Sequence, residues 1–337
     1  MRFMLSDEQS AIQDMAREVL AAESTFDRVR SAGEERQYDS ELWALQRSMG
    51  WPGVGVPQRW GGQGLGLVEL SVIAEECGYA CSSTPLLGTI LAATSLVSAA
   101  SSEQCERYLP SLATGEVRGA VALTADSTPV PDAGEAGLIV VLEGSGGRVS
   151  LQPAQPVETI DPTLRYGRVV DPSAGEPLNQ SPIAYDSTLV VVAAHQLGLA
   201  QRALDLSVAY TSVREQFGVP VATFQAVSHR LAQAHVDLTA ARSLVYHAAW
   251  AVQVGDSEAS ASAARAKAWL AEASRTVTGS AIHAHGGIGF TWEANLHWLF
   301  KRATMLGPYL GGARQHRSRL LEMLGTAQTT SHETDHS

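Results

Sequence analysis

Two short segments in the C-terminal half of the chain carry residue types suited to a phosphate-bearing ligand. The first is Arg214-Glu215-Gln216-Phe217-Gly218, followed by Phe224-Gln225. The second is His283-Ala284-His285-Gly286-Gly287-Ile288-Gly289-Phe290. An arginine just past a helix and beside a glycine suits an anion such as a pyrophosphate, because its planar guanidinium offers several charged donors at once. Paired glycines let a backbone come close to a ligand. Each segment also has a plainer account: a surface arginine at a helix end, and a glycine turn that stops a helix. Taken singly, neither segment decides between the two.

Other reactive side chains point to less. Cys77 and Cys81 stand one helical turn apart, but no second pair completes a zinc site, and core packing is the favoured reading. His229, His235 and His247 fall on one long helix, where packing or solvent exposure outweighs a role as bases.

The elements that must position the two segments are long helices. Alanine-rich stretches at 190–213, 224–254 and 257–284, with a shorter one at 313–324, predict a helix bundle. Gly255-Asp256 ends the second of them. The first third is helical as well. Ser6 and Gln9 form a capping-box pattern with Asp7 and Glu8 in the first turn, and further helices are expected at 41–49, 68–79, 88–99 and 103–113. The texture changes near Gly115. Short apolar runs at 118–124, 138–142, 149–151 and 165–170, punctuated by prolines, predict a small β domain.

Bulk properties narrow the function. The chain has 337 residues, 45% of them hydrophobic, enough for two or three folding units and a sizeable core. A formal net charge of -11 argues against a nucleic-acid partner and against an anionic membrane surface. No uninterrupted apolar run of bilayer-spanning length is read from the sequence, and the N-terminus lacks a cleavable apolar core. Three cysteines fit a reduced compartment, so a cytoplasmic location is expected.

Over nearly its whole length the sequence resembles the acyl-CoA dehydrogenase family. Gly50-Trp-Pro-Gly-Val-Gly-Val-Pro57 with Trp60-Gly-Gly-Gln-Gly-Leu-Gly66 is similar to the family's N-terminal signature. Leu109-Pro-Ser-Leu-Ala-Thr-Gly-Glu116 resembles its exit from that domain. Leu197-Gly-Leu-Ala-Gln-Arg-Ala203 and the two glycine-bearing segments resemble its C-terminal bundle. The resemblance implies a mainly α fold with a small β domain. An N-terminal α-helical domain would span 1–116, a shortened β domain 117–186, a C-terminal four-helix bundle 187–325 and a disordered tail 326–337. It also implies FAD as cofactor, an acyl-CoA thioester as substrate, and an electron-transfer flavoprotein or similar acceptor.

In that family the flavin crosses a subunit interface. By position, Arg214 is then expected at the pyrophosphate of a neighbour's FAD. Gln216, Phe217, Phe224 and Gln225 would wall the pocket, and His283, Gly286 and Gly287 would face the same dinucleotide. The β domain departs from the pattern. Leu123-Thr-Ala-Asp-Ser-Thr-Pro129 stands where the family has a Thr-Glu-Pro stretch, leaving Thr124 as one remaining flavin contact, and the usual tryptophan segment is missing.

The family's reaction needs a carboxylate to take the α-proton of the thioester. Its usual place is a Tyr-Glu-Gly turn, which here reads Tyr309-Leu310-Gly311; the alternative place is held by Thr188. Leucine cannot accept a proton, and threonine is a poor base at neutral pH. Asp186 and Glu293 are the nearest substitutes, although Asp186 with Ser187 reads more readily as a helix cap. The chain is therefore similar to the base-lacking subunit of actinobacterial α2β2 dehydrogenases that act on CoA esters of steroid side chains. Such a subunit completes the FAD site of a paralogous catalytic subunit. Two other readings stay open: a self-sufficient homomeric enzyme with a relocated base, and a non-enzymatic acyl-CoA-binding or assembly protein.

Overall fold

The computed structural model describes residues 4–124 and 128–334. Six α-helices open the chain: α1 Asp7–Glu23, α2 Phe26–Glu35, α3 Ser40–Ser48, α4 Leu67–Tyr79, α5 Leu86–Ala99 and α6 Ser102–Ala113. The expected capping box forms, with Ser6 and Gln9 exchanging side-chain-to-backbone hydrogen bonds at the start of α1. The short, highly charged α2, capped by Thr25, was not expected.

The middle of the chain is a four-stranded sheet in the order β1-β2-β3-β6, built from β1 Gly119–Leu123, β2 Leu138–Glu143, β3 Gly146–Ser150 and β6 Glu176–Leu178. β1 and β2 run parallel, while β2–β3 and β3–β6 are antiparallel. The expected strand at 165–170 shrinks to β5 Gly167–Arg168, paired with β4 Gln155–Pro156. β6 escaped notice because it has three residues with a proline at the centre, which only an edge strand tolerates. Residues 125–127, inside the run compared with the family's flavin-contact stretch, lie outside the described residues.

The bundle comprises α7 Pro182–Val213, α8 Gln225–Val254, α9 Ala259–His285, α10 Leu296–Leu306 and α11 Ala313–Thr334, with a small hairpin, β7 Glu215–Gln216 and β8 Val219–Pro220, between α7 and α8. α7 starts eight residues before the expected 190, because Pro182 fixes a helical φ at the first position. Asp186 and Ser187 therefore lie inside the helix and do not cap it; Ser181 holds that place. The backbone of α11 continues as helix to Thr334 through most of the segment expected to be a disordered tail; it meets no proline on the way. Residues 335–337 lie outside the described residues.

α7 is the central post, packed by α4, α5, α8 and α9. Where α4 crosses it, Gly78 and Gly198 face the other helix, and a Cβ on either would overlap a carbonyl oxygen of the opposite backbone. By length and mean composition α7 could cross a bilayer, although His195 and Gln196 interrupt its apolar run, and 89% of its apolar window is buried within the protein. The three parts meet at Arg302 of α10. Its fully buried guanidinium lies 3.4 Å from Asp161 and donates to the Ser82 carbonyl (2.7 Å) and to the Thr163 hydroxyl.

Candidate functional site

The residue at the expected base position sits in a well-built turn between α10 and α11. Leu310 is 1% exposed and its backbone is left-handed, with φ 56°. That conformation costs a residue with a Cβ about 1 kcal/mol or more, so something must hold it. The Leu310 carbonyl accepts from the Tyr185 hydroxyl (2.8 Å) and from His316 Nε2–H (3.0 Å). Burial and the nearby Lys267 lower the His316 pKa to about 4, which keeps this ring neutral. Tyr309 donates to the Val121 carbonyl of β1 at 2.7 Å. Behind the turn, fully buried Lys267 of α9 donates to the carbonyls of Leu306 (3.2 Å) and Gly307 (2.9 Å). Burial, with no carboxylate among the described residues to offset it, drives the Lys267 pKa down to about 7.

None of the substitute groups is placed to act as a base. The Thr188 hydroxyl is buried and donates to the Tyr185 carbonyl at 2.6 Å. Both oxygens of Asp186 are taken, one by Arg319 (2.8 Å) and the other by the Ser260 hydroxyl. Glu293 is exposed, and its hydrogen bond with Thr291 holds its carboxyl below the usual range. A base for a carbon acid must be desolvated and poised nearer neutrality.

The residues expected at a dinucleotide are gathered at one end of the bundle. Arg214 caps α7 and opens the β7–β8 hairpin, whose two-residue tip is Phe217-Gly218, both with positive φ. The Arg214 side chain is exposed and has no ion pair or hydrogen bond among the described residues. Gln216 is exposed beside it. Phe217 is 93% exposed and meets Phe224 edge-on at 6.2 Å, and Gln225 begins α8. The end of α9 joins this cluster through a stack of His285 on Tyr210 of α7, with ring centroids 4.3 Å apart. His283 and Gly286-Gly287 are exposed there, as are Phe290 (73%) and Trp292 (63%).

Gly286 needs to be glycine for its own backbone, at φ 64° and ψ -141°. Gly287 does not: its φ is ordinary and a Cβ would meet nothing within 4 Å. No contact among the described residues accounts for it, and its bare backbone is open to an approaching ligand. An unpaired cation, an open glycine and aromatic walls on one surface fit the pyrophosphate and adenosine end of a dinucleotide.

A second cleft, of about 510 Å³, opens where β1 and β2 meet the starts of α7 and α11; it is lined by Leu123, Thr124, Leu142, Ser145, Tyr185 and Arg319 among others. The Thr124 N–H and hydroxyl both donate to the Leu142 carbonyl (3.0 and 3.3 Å), so the flavin contact expected of Thr124 has no free donor. Arg319 lies over the Tyr185 ring at 5.1 Å and is held by Asp186. Tyr185, Lys267, His316 and Arg319 were not singled out in the sequence. They come from three helices and form no local motif.

Residues 6–116 match the family model for the acyl-CoA dehydrogenase N-terminal domain, and residues 188–324 match that for the C-terminal domain. The acyl-CoA dehydrogenase IpdE2 of Mycobacterium tuberculosis is 35% identical over 318 residues, covering 93% of this chain and 96% of the relative. A chain of the Tcur3481-Tcur3483 steroid ACAD G363A variant superposes with a TM-score of 0.87 at 27% identity, covering 96% of this chain and 99% of that one. A chain of the ChsE4-ChsE5 complex from Mycobacterium tuberculosis gives a TM-score of 0.83 at 25% identity, with coverage of 96% and 99%.

Proposed function

The chain belongs to the acyl-CoA dehydrogenase family, and we propose that within it this chain is the base-lacking subunit of a heteromeric enzyme. In this reading it assembles with a paralogous catalytic subunit as an α2β2 heterotetramer and completes that subunit's FAD site. The complex removes hydrogen from the α and β carbons of an acyl-CoA thioester. The observation that carries the reading is the intact turn around buried Leu310, with the other carboxylates nearby tied up or exposed, set against an open, unpartnered surface at Arg214.

Each residue then has a physical task. Arg214 supplies positive charge to the pyrophosphate. Gly287 lets the backbone come within hydrogen-bonding range, and Phe217 and Phe224 cover the adenosine end. When bound, the flavin supplies the hydride acceptor. The carboxylate that takes the α-proton belongs to the catalytic subunit. A CoA ester of a steroid side chain is the proposed substrate; two neighbours with TM-scores above 0.8, a steroid ACAD and the two-component ChsE4-ChsE5 complex, support both substrate and assembly.

The test is co-expression of this chain with each acyl-CoA dehydrogenase paralogue of its genome. One pairing is expected to yield a yellow complex with about one flavin for every two chains, consistent with a shared site, and with activity on an acyl-CoA. A flavin-loaded, active homomer of this chain alone would overturn the proposal.

A further inference from the structure

The two contact elements at the end of the bundle lie on helices far apart in the sequence, so their spacing must be fixed by tertiary contacts. We infer that the stacked pair Tyr210–His285 is the positioning element that sets the Arg214 hairpin against the Gly286-Gly287 turn. This rests on the reading of that surface as a dinucleotide site and names what keeps it in register.

Tyr210 lies in the last turn of α7, and its carbonyl accepts the Arg214 N–H at 2.9 Å. His285 is the last residue of α9 and directly precedes Gly286. Each ring is thus within one turn of the element it governs. The rings are nearly parallel, 15° apart, with centroids at 4.3 Å. The imidazole cannot swivel freely, because its Nδ1–H donates to the Ala281 carbonyl at 2.8 Å. The turn Gly286–Phe290 folds back so that Gly289 lies close to the His285 Cβ and the Ile282 carbonyl. That fold requires Gly289: a Cβ there would lie 3.1 Å from the His285 Cβ and would overlap the Ile282 carbonyl. Burial keeps the His285 pKa below its ordinary value, which favours the neutral imidazole. A displacement of either ring shifts both contact elements together. Neither residue needs to touch the ligand.

The test is FAD binding to the apo form of the co-expressed complex, followed by quenching of flavin fluorescence, with thermal unfolding of each complex in parallel. Tyr210→Leu and His285→Ala are expected to weaken FAD binding about 3- to 10-fold, the scale of a lost aromatic pair. Tyr210→Phe, which keeps a flat ring, is expected to bind as wild type, and His285→Phe, which keeps the ring but not the Ala281 hydrogen bond, to bind more tightly than His285→Ala. The assignment is overturned if Tyr210→Leu and His285→Ala bind FAD normally while Arg214→Ala binds weakly, or if His285→Phe is as impaired as His285→Ala. If Arg214→Ala also binds normally, the dinucleotide reading of this surface fails, and the positioning role fails with it.

Discussion

Replacing Leu310 with glutamate returns a carboxylate to the turn and asks whether a furnished reaction centre surrounds it. The native side chain is 1% exposed on a left-handed backbone. Removing it from the core forfeits roughly 1.5–3 kcal/mol of apolar burial. Placing an ionised carboxylate there adds several kcal/mol of desolvation unless a cation takes it up. Neither nearby basic group is ready to do so at pH 8: Lys267, with its pKa pushed down to about 7, is largely neutral and donates to the Leu306 and Gly307 carbonyls, and Arg319 is held by Asp186. The expected loss is therefore about 4–6 kcal/mol at pH 8. The sign of its pH dependence follows from burial, which raises the new carboxyl's folded pKa above its unfolded value of about 4.3. Above that value the folded state binds more protons than the unfolded one, so stability falls as pH rises, by about 1.4 kcal/mol per unit until the folded pKa is passed. Leu310→Gln should lose the burial part without the pH dependence. Urea unfolding at pH 5.5 and 8, with flavin content and acyl-CoA-dependent dye reduction on the same samples, separates these effects. A Leu310→Glu protein as stable as wild type at both pH values, or one that becomes yellow and active alone, would refute the reasoning.

Three further outcomes are expected. Arg214→Ala should leave thermal unfolding of the isolated chain unchanged, because the side chain has no described partner; FAD affinity of the complex should fall about 10- to 100-fold, the scale of a lost charge-assisted hydrogen bond. Lys267 titrates at about 7 when folded and at 10.5 when free. Between those values the unfolded state holds the extra proton, so the wild type should gain about 1.4 kcal/mol of stability per pH unit from this group as pH rises, and denaturant titrations of Lys267→Met should lack that slope. Arg302→Met should cost about 3–5 kcal/mol in denaturant unfolding, because it leaves Asp161 buried without its cation; adding Asp161→Asn should recover part of that loss.

The long helices were legible because their apolar and small residues recur at helical spacing over many turns. The elements that escaped are those whose determinants are short or tertiary. The strand Glu176–Leu178 is held by its register on β3. The helix Leu296–Leu306 follows an aromatic loop and carries the buried Arg302 on a face that a reading of polarity would send to solvent. The start of α7 was written in Ser181-Pro182, a sound helix-start signal overshadowed by the apolar run that follows. At the site, Arg214 and the glycine pair could be named from the sequence because they form local motifs. Their proximity was expected only through the family resemblance; the Tyr210–His285 stack between their helices joins residues far apart in the sequence and forms no local motif. The tie from Tyr185 to the Leu310 carbonyl spans 125 residues and leaves no local trace either.

That tie explains how the turn holds a leucine. If the turn existed only to present a base, loss of the base would leave nothing to hold a leucine in a conformation that disfavours it. Here the turn has a second task that uses no carboxylate. Through the Tyr309 hydroxyl it bolts to β1 at Val121, and through the Leu310 carbonyl it bolts to α7 at Tyr185 and to α11 at His316. Gly311, at φ 97°, leaves room for the His316 ring, whose Nε2 would lie 2.8 Å from a Cβ there. Sheet and bundle are thus joined at this turn by backbone carbonyls and by side chains other than residue 310. Such a joint leaves residue 310 free to be any side chain the core accepts, and leucine adds apolar burial where a glutamate without a cation would cost stability. In the proposed assembly, where a partner would supply the base, this geometry favours keeping the turn and filling it with an apolar residue.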